Sequence, residues 1–371
     1  MKTIAMIGCF DTKSEDFGYL YQCLVEQGAV VRAINLGIKG STNLFPVAVD
    51  AEQVAAQAEV SLFDLQRAND RSSALDHMGT GAAKILLDYH NKGELDGVIG
   101  MGGGGGTFLT LKAVQSLPFG VPKICISTVA AKDLSQQTGT KDVVLIPSLV
   151  DIAGLNRISR VILKQAAAAL VGMVHTTIVE TQQKQTIAIS MFGNTTQCVE
   201  NCSRMLREKG FEVLIFHAVG SGGRTMEALI REGVVDGVLD VTTTELADEL
   251  CQGICSAGPD RLTAASEMGI PQVVAPGCVD MVNFGPMSTV PEKFNHRQLF
   301  SWAPDVTLMR TNQDENRQLG KEIAEKVNAS HGPVKILLPQ KGLSIVSAKG
   351  GVFHAPETDQ VLFDTIKKEL N

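Results

Sequence analysis

The stretch Asp96-Gly-Val-Ile-Gly-Met-Gly-Gly-Gly-Gly-Gly-Thr107 decides how this chain is read. Asp96 to Met101 has the apolar character of a buried strand. Five glycines follow, Gly102, Gly103, Gly104, Gly105 and Gly106. Thr107 then opens Phe108 to Ser116, a segment predicted to be a helix stopped by Pro118. Glycines between a strand and a helix let backbone N–H groups close on an anion, with the positive helix N-terminus behind them. The competing reading is a mobile polar loop. The flanking elements favour the phosphate cradle.

Outward from this stretch the chain alternates strand-like and helix-like segments. Strands are expected at 4–8, 30–35, 97–101, 123–127 and 143–146, and helices at 14–27, 72–90 and 156–173, with Asp50 capping a further one through Gln57. Such alternation argues an α/β fold with mainly parallel sheets. The second half repeats the plan. Thr3-Ile-Ala-Met-Ile-Gly-Cys-Phe-Asp-Thr12 is echoed by Thr186-Ile-Ala-Ile-Ser-Met-Phe-Gly-Asn-Thr195. Leu95-Asp-Gly-Val-Ile99 is echoed by Val235-Asp-Gly-Val-Leu239, and Gly120-Val-Pro-Lys-Ile124 by Gly269-Ile-Pro-Gln-Val273. Glu26-Gln-Gly-Ala-Val-Val31 likewise matches Glu208-Lys-Gly-Phe-Glu-Val213. The order is kept, so two related, doubly wound, Rossmann-like halves are expected, covering 1–178 and 179–371. Ile38 to Thr80 is extra in the first half.

Composition bounds the function. The 371 residues are 44% hydrophobic and 20% charged, with a net charge of −7 and no Lys/Arg-rich run. Nucleic-acid binding is not expected without a cationic footprint. No apolar run reaches the roughly 18 residues of a membrane helix, so no membrane partner is expected. Met1 to Phe10 is cut off by Asp11, Lys13, Glu15 and Asp16 too early for a secretory signal. The chain reads as cytoplasmic. Its eight cysteines include Cys198/Cys202 and Cys251/Cys255 at helical spacing, which is not the usual spacing of structural zinc. Reduced thiols and no protein-held metal cluster are expected.

The glycine run is not a Walker A loop, because Gly106 stands where the lysine belongs. Nor does it lie in the first β–α turn, where a dinucleotide fingerprint belongs, so an NAD-dependent dehydrogenase is the least favoured reading. Gly8-Cys-Phe-Asp-Thr-Lys13 ends the first strand, at the edge where open α/β sheets bind ligands. There Lys13 can supply the missing cation, Asp11 a metal or ribose contact and Thr12 a hydroxyl. An ordinary helix start capped by Thr12 or Ser14 fits as well. Ser127 and Thr128 follow another strand.

In the second half His217-Ala-Val-Gly220-Ser-Gly222-Gly223-Arg224 offers a second glycine turn with a bidentate cation. Thr242, Thr243, Thr244 and Glu245 occupy the place of the glycine run. Asp280, Asn283, His296 and Arg297 are further polar candidates. Each can equally be structural.

Gly-Cys-Phe-Asp-Thr-Lys-Ser-Glu (8–15), Gly-Met-Gly-Gly-Gly-Gly-Gly-Thr (100–107), Ser-Leu-Val-Asp-Ile-Ala-Gly-Leu-Asn (148–156) and His-Ala-Val-Gly-Ser-Gly-Gly-Arg (217–224) carry a resemblance. Asp-Val-Thr-Thr-Thr-Glu-Leu (240–246) and Asp-Met-Val-Asn-Phe-Gly-Pro (280–286) extend it over essentially the whole chain. The chain resembles bacterial relatives of the ATP-binding domain of the tomato mosaic virus resistance family, plant inhibitors of tobamovirus RNA replication. The resemblance implies ATP in the first half, two Rossmann-like subdomains and a homodimer. It places phosphate contacts on Gly102–Gly106 and Thr107, with Asp11, Thr12 and Lys13 opposite. The usual family loop has a serine among its glycines, replaced here at Gly104 or Gly105.

The expectation that follows is an ATP-using enzyme, with Mg2+, acting on a small sugar-acid or keto-acid-like anion in an interdomain cleft. Lys13, Arg224, Glu245 and Asp280 are its expected catalytic residues. The alternative is a non-catalytic ATP-binding module that docks a partner protein.

Overall fold

The computed structural model describes residues 1–177 and 184–371, so the expected domain join at 178/179 lies outside the described residues. Two compact units, Met1–Val179 and Glu180–Asn371, make up the chain.

The first unit runs β1 (Thr3–Gly8), α1 (Ser14–Glu26), β2 (Val30–Asn35), α2 (Ala51–Gln57), α3 (Leu62–Ala68), α4 (Arg71–Asn91), β3 (Gly97–Gly102), α5 (Gly104–Val114), β4 (Lys123–Ser127), α6 (Ser135–Thr138), β5 (Val143–Pro147) and α7 (Arg157–His175). Its parallel sheet has the order β2-β1-β3-β4-β5. Apolar side chains bury on both faces. Phe17, Leu20, Leu24, Ile162, Ala166 and Leu170 cover one, and Val54, Met78, Ala82, Leu86, Leu109 and Ala113 the other. That is why β1 and β3 read as continuous apolar runs rather than alternating ones.

The second unit runs β6 (Thr186–Met191), α8 (Thr196–Glu208), β7 (Glu212–His217), α9 (Ser221–Arg231), β8 (Gly237–Asp240), α10 (Thr244–Cys251), α11 (Ala264–Met268), β9 (Gln272–Val274), β10 (Met281–Phe284), β11 (Leu299–Ala303), β12 (Val306–Arg310), α12 (Gln313–Asn328), β13 (Val334–Ile336) and α13 (Pro356–Glu369). Its parallel sheet is β7-β6-β8-β9-β13, the same 2-1-3-4-5 order. An antiparallel sheet, β10-β12-β11, is added between β9 and β13 in the chain. The alternation of the sequence did not announce it.

The repeated Asp-Gly-Val is a clasp. Asp96 accepts the Thr3 N–H through Oδ2 at 2.7 Å, and Asp236 accepts that of Thr186 at 2.7 Å. In return the Asp96 N–H donates to the Thr3 carbonyl and that of Asp236 to Thr186. The same bonds fix β1 against β3 and β6 against β8, so the local repeat carries the register of the two central strand pairs.

Two expectations change. α5 begins at Gly104, not after Thr107, so the glycines form the helix's first turn. And α7, at 19 residues, is long and apolar enough by composition to cross a bilayer. Ser159, Ile162, Leu163, Ala166, Ala167, Leu170 and Val174 form its buried stripe at helical spacing, and Arg157, Arg160 and Lys164 stand exposed. An amphipathic core helix has this pattern. Asn156 caps it, accepting from Ile158 and Ser159, and Asp50 caps α2 with a capping box.

Candidate functional site

In a 2-1-3 strand order, the chain turns opposite ways on leaving the first and third strands, and a crevice opens between their carboxyl ends. In the first unit this point lies between Gly8 and Gly102. A cavity of about 820 Å³ occupies it, within the range of small-molecule sites. Cys9, Asp11, Thr12 and Lys13 line it from β1, Leu36 to Lys39 from β2, and Gly102 to Gly106 from β3 and α5. The outer wall comes from the extra segment: Leu65, Gln66, Asn69, Asp70, Arg71, Ala74, Leu75 and Met78.

The five glycines do different work. A Cβ at Gly102 would lie 2.7 Å from Gly106 Cα, and one at Gly106 2.9 Å from the Met101 carbonyl, so these two let strand and helix touch. At Gly105 it would lie 3.0 Å from Arg71 Nη2. At Gly103 it would meet only Thr128 Oγ1, at 3.7 Å, and at Gly104 nothing within 4 Å. Neither has a positive φ. The protein's own packing therefore does not require glycine at 103 or 104; Gly103 is the N-cap, a place that favours glycine over alanine, and Gly104 is the first helical residue.

No side chain caps α5. The Thr107 N–H donates to the Gly103 carbonyl. Among the described residues no acceptor is seen for the N–H groups of Gly104, Gly105 and Gly106. The turn thus offers uncapped donors and the positive end of a helix to the cavity.

Several expected contacts have other work. Lys13 Nζ donates to the Ile152 carbonyl instead of standing free as the phosphate cation. Asp11 Oδ2 accepts the Lys39 N–H at 2.9 Å, and its Oδ1 is buried against Gly37 without a donor. Thr107 and Ser127 are buried and share a 2.6 Å bond between their hydroxyls, tying α5 to β4. Thr128 is exposed beside the turn, and Thr12 lines the cavity. Burial pushes the Cys9 thiol up to about 11, which keeps it protonated at neutral pH.

The sequence reading passed over Arg71. It is the first residue of α4, exposed, and makes no hydrogen bond or ion pair among the described residues. The signal was the unmatched segment from Ile38 to Thr80, whose α3–α4 turn delivers it.

The second unit's expected site is filled from within. The N–H groups of Gly220 and Gly223 donate to Glu245 Oε1, at 2.7 and 3.0 Å. Glu245 is fully buried and also accepts from Arg261 Nε at 2.6 Å. The Arg261 guanidinium, itself fully buried, further binds Asp240 at 2.5 and 2.8 Å and Glu227 at 3.2 Å. Burial raises the Glu245 carboxyl above its usual range, with Arg261 pulling the other way. Thr242, Thr243 and Thr244 are buried; Thr242 binds Ser190 and Thr195 across the switch point.

The remaining candidates fare similarly. Arg224 is exposed and donates to the Ser256 carbonyl, and Gly222 packs against the His217 carbonyl. His217 and His296 are exposed. Arg297 is held bidentately by Glu315. Asp280 is fully buried, accepts from Ser344 and is pushed up to about 6 by burial; Asn283 donates to Asp248. Glu245 and Asp280 are thus closed off from solvent and engaged within the fold. Among the described residues no cluster of three His, Cys, Asp or Glu side chains could hold a metal ion, and the eight cysteines are free.

Known proteins add the following. A Clostridium tetani UPF0261 protein is 44% identical over 371 residues, covering 100% of this chain and 92% of its own length. The ToMV resistance protein Tm-1(GCR237) of Solanum lycopersicum is 42% identical over 301 residues, which are 80% of this chain and 40% of the plant protein. Among solved structures, a UDP-N-acetylglucosamine 2-epimerase overlays with a TM-score of 0.27 at 10% identity, over 100% of this chain and 91% of that one. The family model for the UPF0261 N-terminal domain matches residues 2–179, and that for the C-terminal domain residues 184–371. The chain therefore belongs to the uncharacterised protein family UPF0261.

Proposed function

We propose that the first unit binds an adenine nucleotide, ATP, in the cavity between β1 and β3. The phosphate chain lies on the N–H groups of Gly104, Gly105 and Gly106, and the base rests on the apolar wall of Leu65, Leu75, Met78 and Leu109. The observation that carries this is Gly104: a glycine in the first turn of a helix, with open space where its side chain would be and no strained φ to excuse it. Close approach of a ligand to the backbone accounts for a residue that packing leaves unexplained. The choice of adenine comes from the family resemblance.

Between the two uses of ATP, the burial of Glu245 and Asp280 and the engagement of Lys13 favour a binding module over an ATP-using enzyme. As a module the nucleotide-bound chain docks a partner protein, and the same resemblance supports a homodimer.

Isothermal titration of the full chain tests the binding. ATP is expected to bind the wild type. Gly104→Val is expected to abolish that binding with an unchanged far-UV spectrum, since nothing in the protein opposes the side chain. Wild-type affinity in the variant sinks the cradle. Phosphate release measured with candidate sugar acids or keto acids separates the two readings, and sustained turnover would restore the enzyme.

A further inference from the structure

The cavity has cations in excess of carboxylates. Lys13, Lys39 and Arg71 line it against Asp11 and Asp70. Asp11 Oδ2 accepts the Lys39 N–H, and its Oδ1 is buried beside Gly37 without a donor. Asp70 caps α4 through Oδ1 alone, accepting from Ser72 at 2.9 Å and Ser73 at 3.2 Å.

Arg71 stands at the position that matters. Extending the Leu95–Ile99 and Val235–Leu239 match along both chains sets Gly105 opposite Glu245. In the second unit that place holds a carboxylate, which binds backbone N–H groups and Arg261. In the first unit it holds no side chain, and the Arg71 guanidinium stands 3.0 Å from where one would begin. Guanidinium, helix N-terminus and empty place together call for an anion. A planar fork of donors pairs bidentately with phosphate.

We infer that Arg71 binds the outer phosphates of the nucleotide. Arg71 supplies the positive charge that a Walker lysine supplies in P-loop proteins. The inference rests on the nucleotide reading above and goes further, because it assigns the charge that meets the phosphates.

Calorimetry on the full chain tests it with ATP and AMP, each in excess Mg2+. Arg71→Ala should weaken ATP at least about tenfold, the loss of one charged hydrogen-bonded pair, while leaving AMP unchanged. Arg71→Lys should recover part of the loss. The melting temperature should stay put, because Arg71 is exposed and holds nothing else.

The inference is overturned if Arg71→Ala weakens ATP and AMP alike or neither. That failure leaves the nucleotide reading standing. Wild-type protein that binds neither nucleotide ends both.

Discussion

The two switch points of this molecule are built on one plan and solve opposite problems. In the second unit β7 passes through a short turn into α9, whose first N–H groups reach Glu245 on the neighbouring helix. An anion of the protein's own occupies the cradle, and Arg261 neutralises part of the charge behind it. In the first unit the forty or so extra residues put α2 and α3 between β2 and α4. The place of Glu245 is taken by Gly105, and a cavity remains. The lesson is that a helix N-terminus at the carboxyl edge of a parallel sheet, α9 after β7 or α5 after β3, becomes structural or ligand-binding according to who supplies the anion.

The largest effect is expected at Arg261. It is fully buried among Glu227, Asp240 and Glu245. Removing one partner of a buried ionic cluster leaves uncompensated charge and typically costs about 3–5 kcal/mol. Arg261→Ala should therefore unfold the second unit at much lower urea. The chain reports this well: its single tryptophan, Trp302, lies in the second unit and its tyrosines, Tyr19, Tyr21 and Tyr89, in the first. Trp302 fluorescence should shift its midpoint while the tyrosine signal keeps a transition near the wild-type value. An unmoved tryptophan midpoint would mean that the cluster is not what closes this switch point.

A smaller loss is expected at Gly223. A Cβ there would lie 2.1 Å from Glu245 Oε2, so Gly223→Ala must displace the carboxylate from its N–H donors. Overpacking of this kind costs typically about 1–3 kcal/mol. Urea denaturation followed at Trp302 checks it, and a neutral result would show that Glu245 moves aside freely and the cradle is not tightly filled.

The contrast also explains what was readable beforehand. The strand–helix alternation, the first unit's five-stranded parallel sheet and the common plan of the two halves were legible, because Asp-Gly-Val and Gly-X-Pro boundaries act locally, as the paired Asp96 and Asp236 clasps show. The start of α5 was not, because glycine is a poor helix former and local propensity argues against a helix beginning at Gly104. The antiparallel sheet around Met281–Phe284 was hidden for another reason. Its β11 and β12 form a hairpin through Pro304-Asp305, but β10 pairs with β12 across the intervening β11, a longer-range pairing.

At the sites, the glycine run was conspicuous, but its partner was not. Arg71 lies more than thirty residues earlier, in a segment with no counterpart in the repeat. Glu245 read as a candidate base because nothing near it in sequence reveals Arg261 sixteen residues on, or Gly220 behind it. Burial and long-range pairing, not residue type, made one acidic residue structural.

The smallest effect is the most discriminating, because its sign is opposite in the two units. Gly104 and Gly223 both lie in the first turn of a helix at the carboxyl edge of a parallel sheet, after β3 and after β7. Alanine at 223 should destabilise, as above. Alanine at 104 meets nothing within 4 Å and needs no positive φ. Replacing glycine there should stabilise the ligand-free first unit by roughly 0.5–1 kcal/mol, through helix propensity and a less flexible unfolded chain. The tyrosine midpoint in urea should rise while ATP affinity falls, since the added methyl stands where the phosphates approach. A glycine kept against the protein's own stability is the signature of a residue held for a ligand. If Gly104→Ala lowered stability, the glycine would be serving the fold, and the difference between the two switch points would lose its functional meaning.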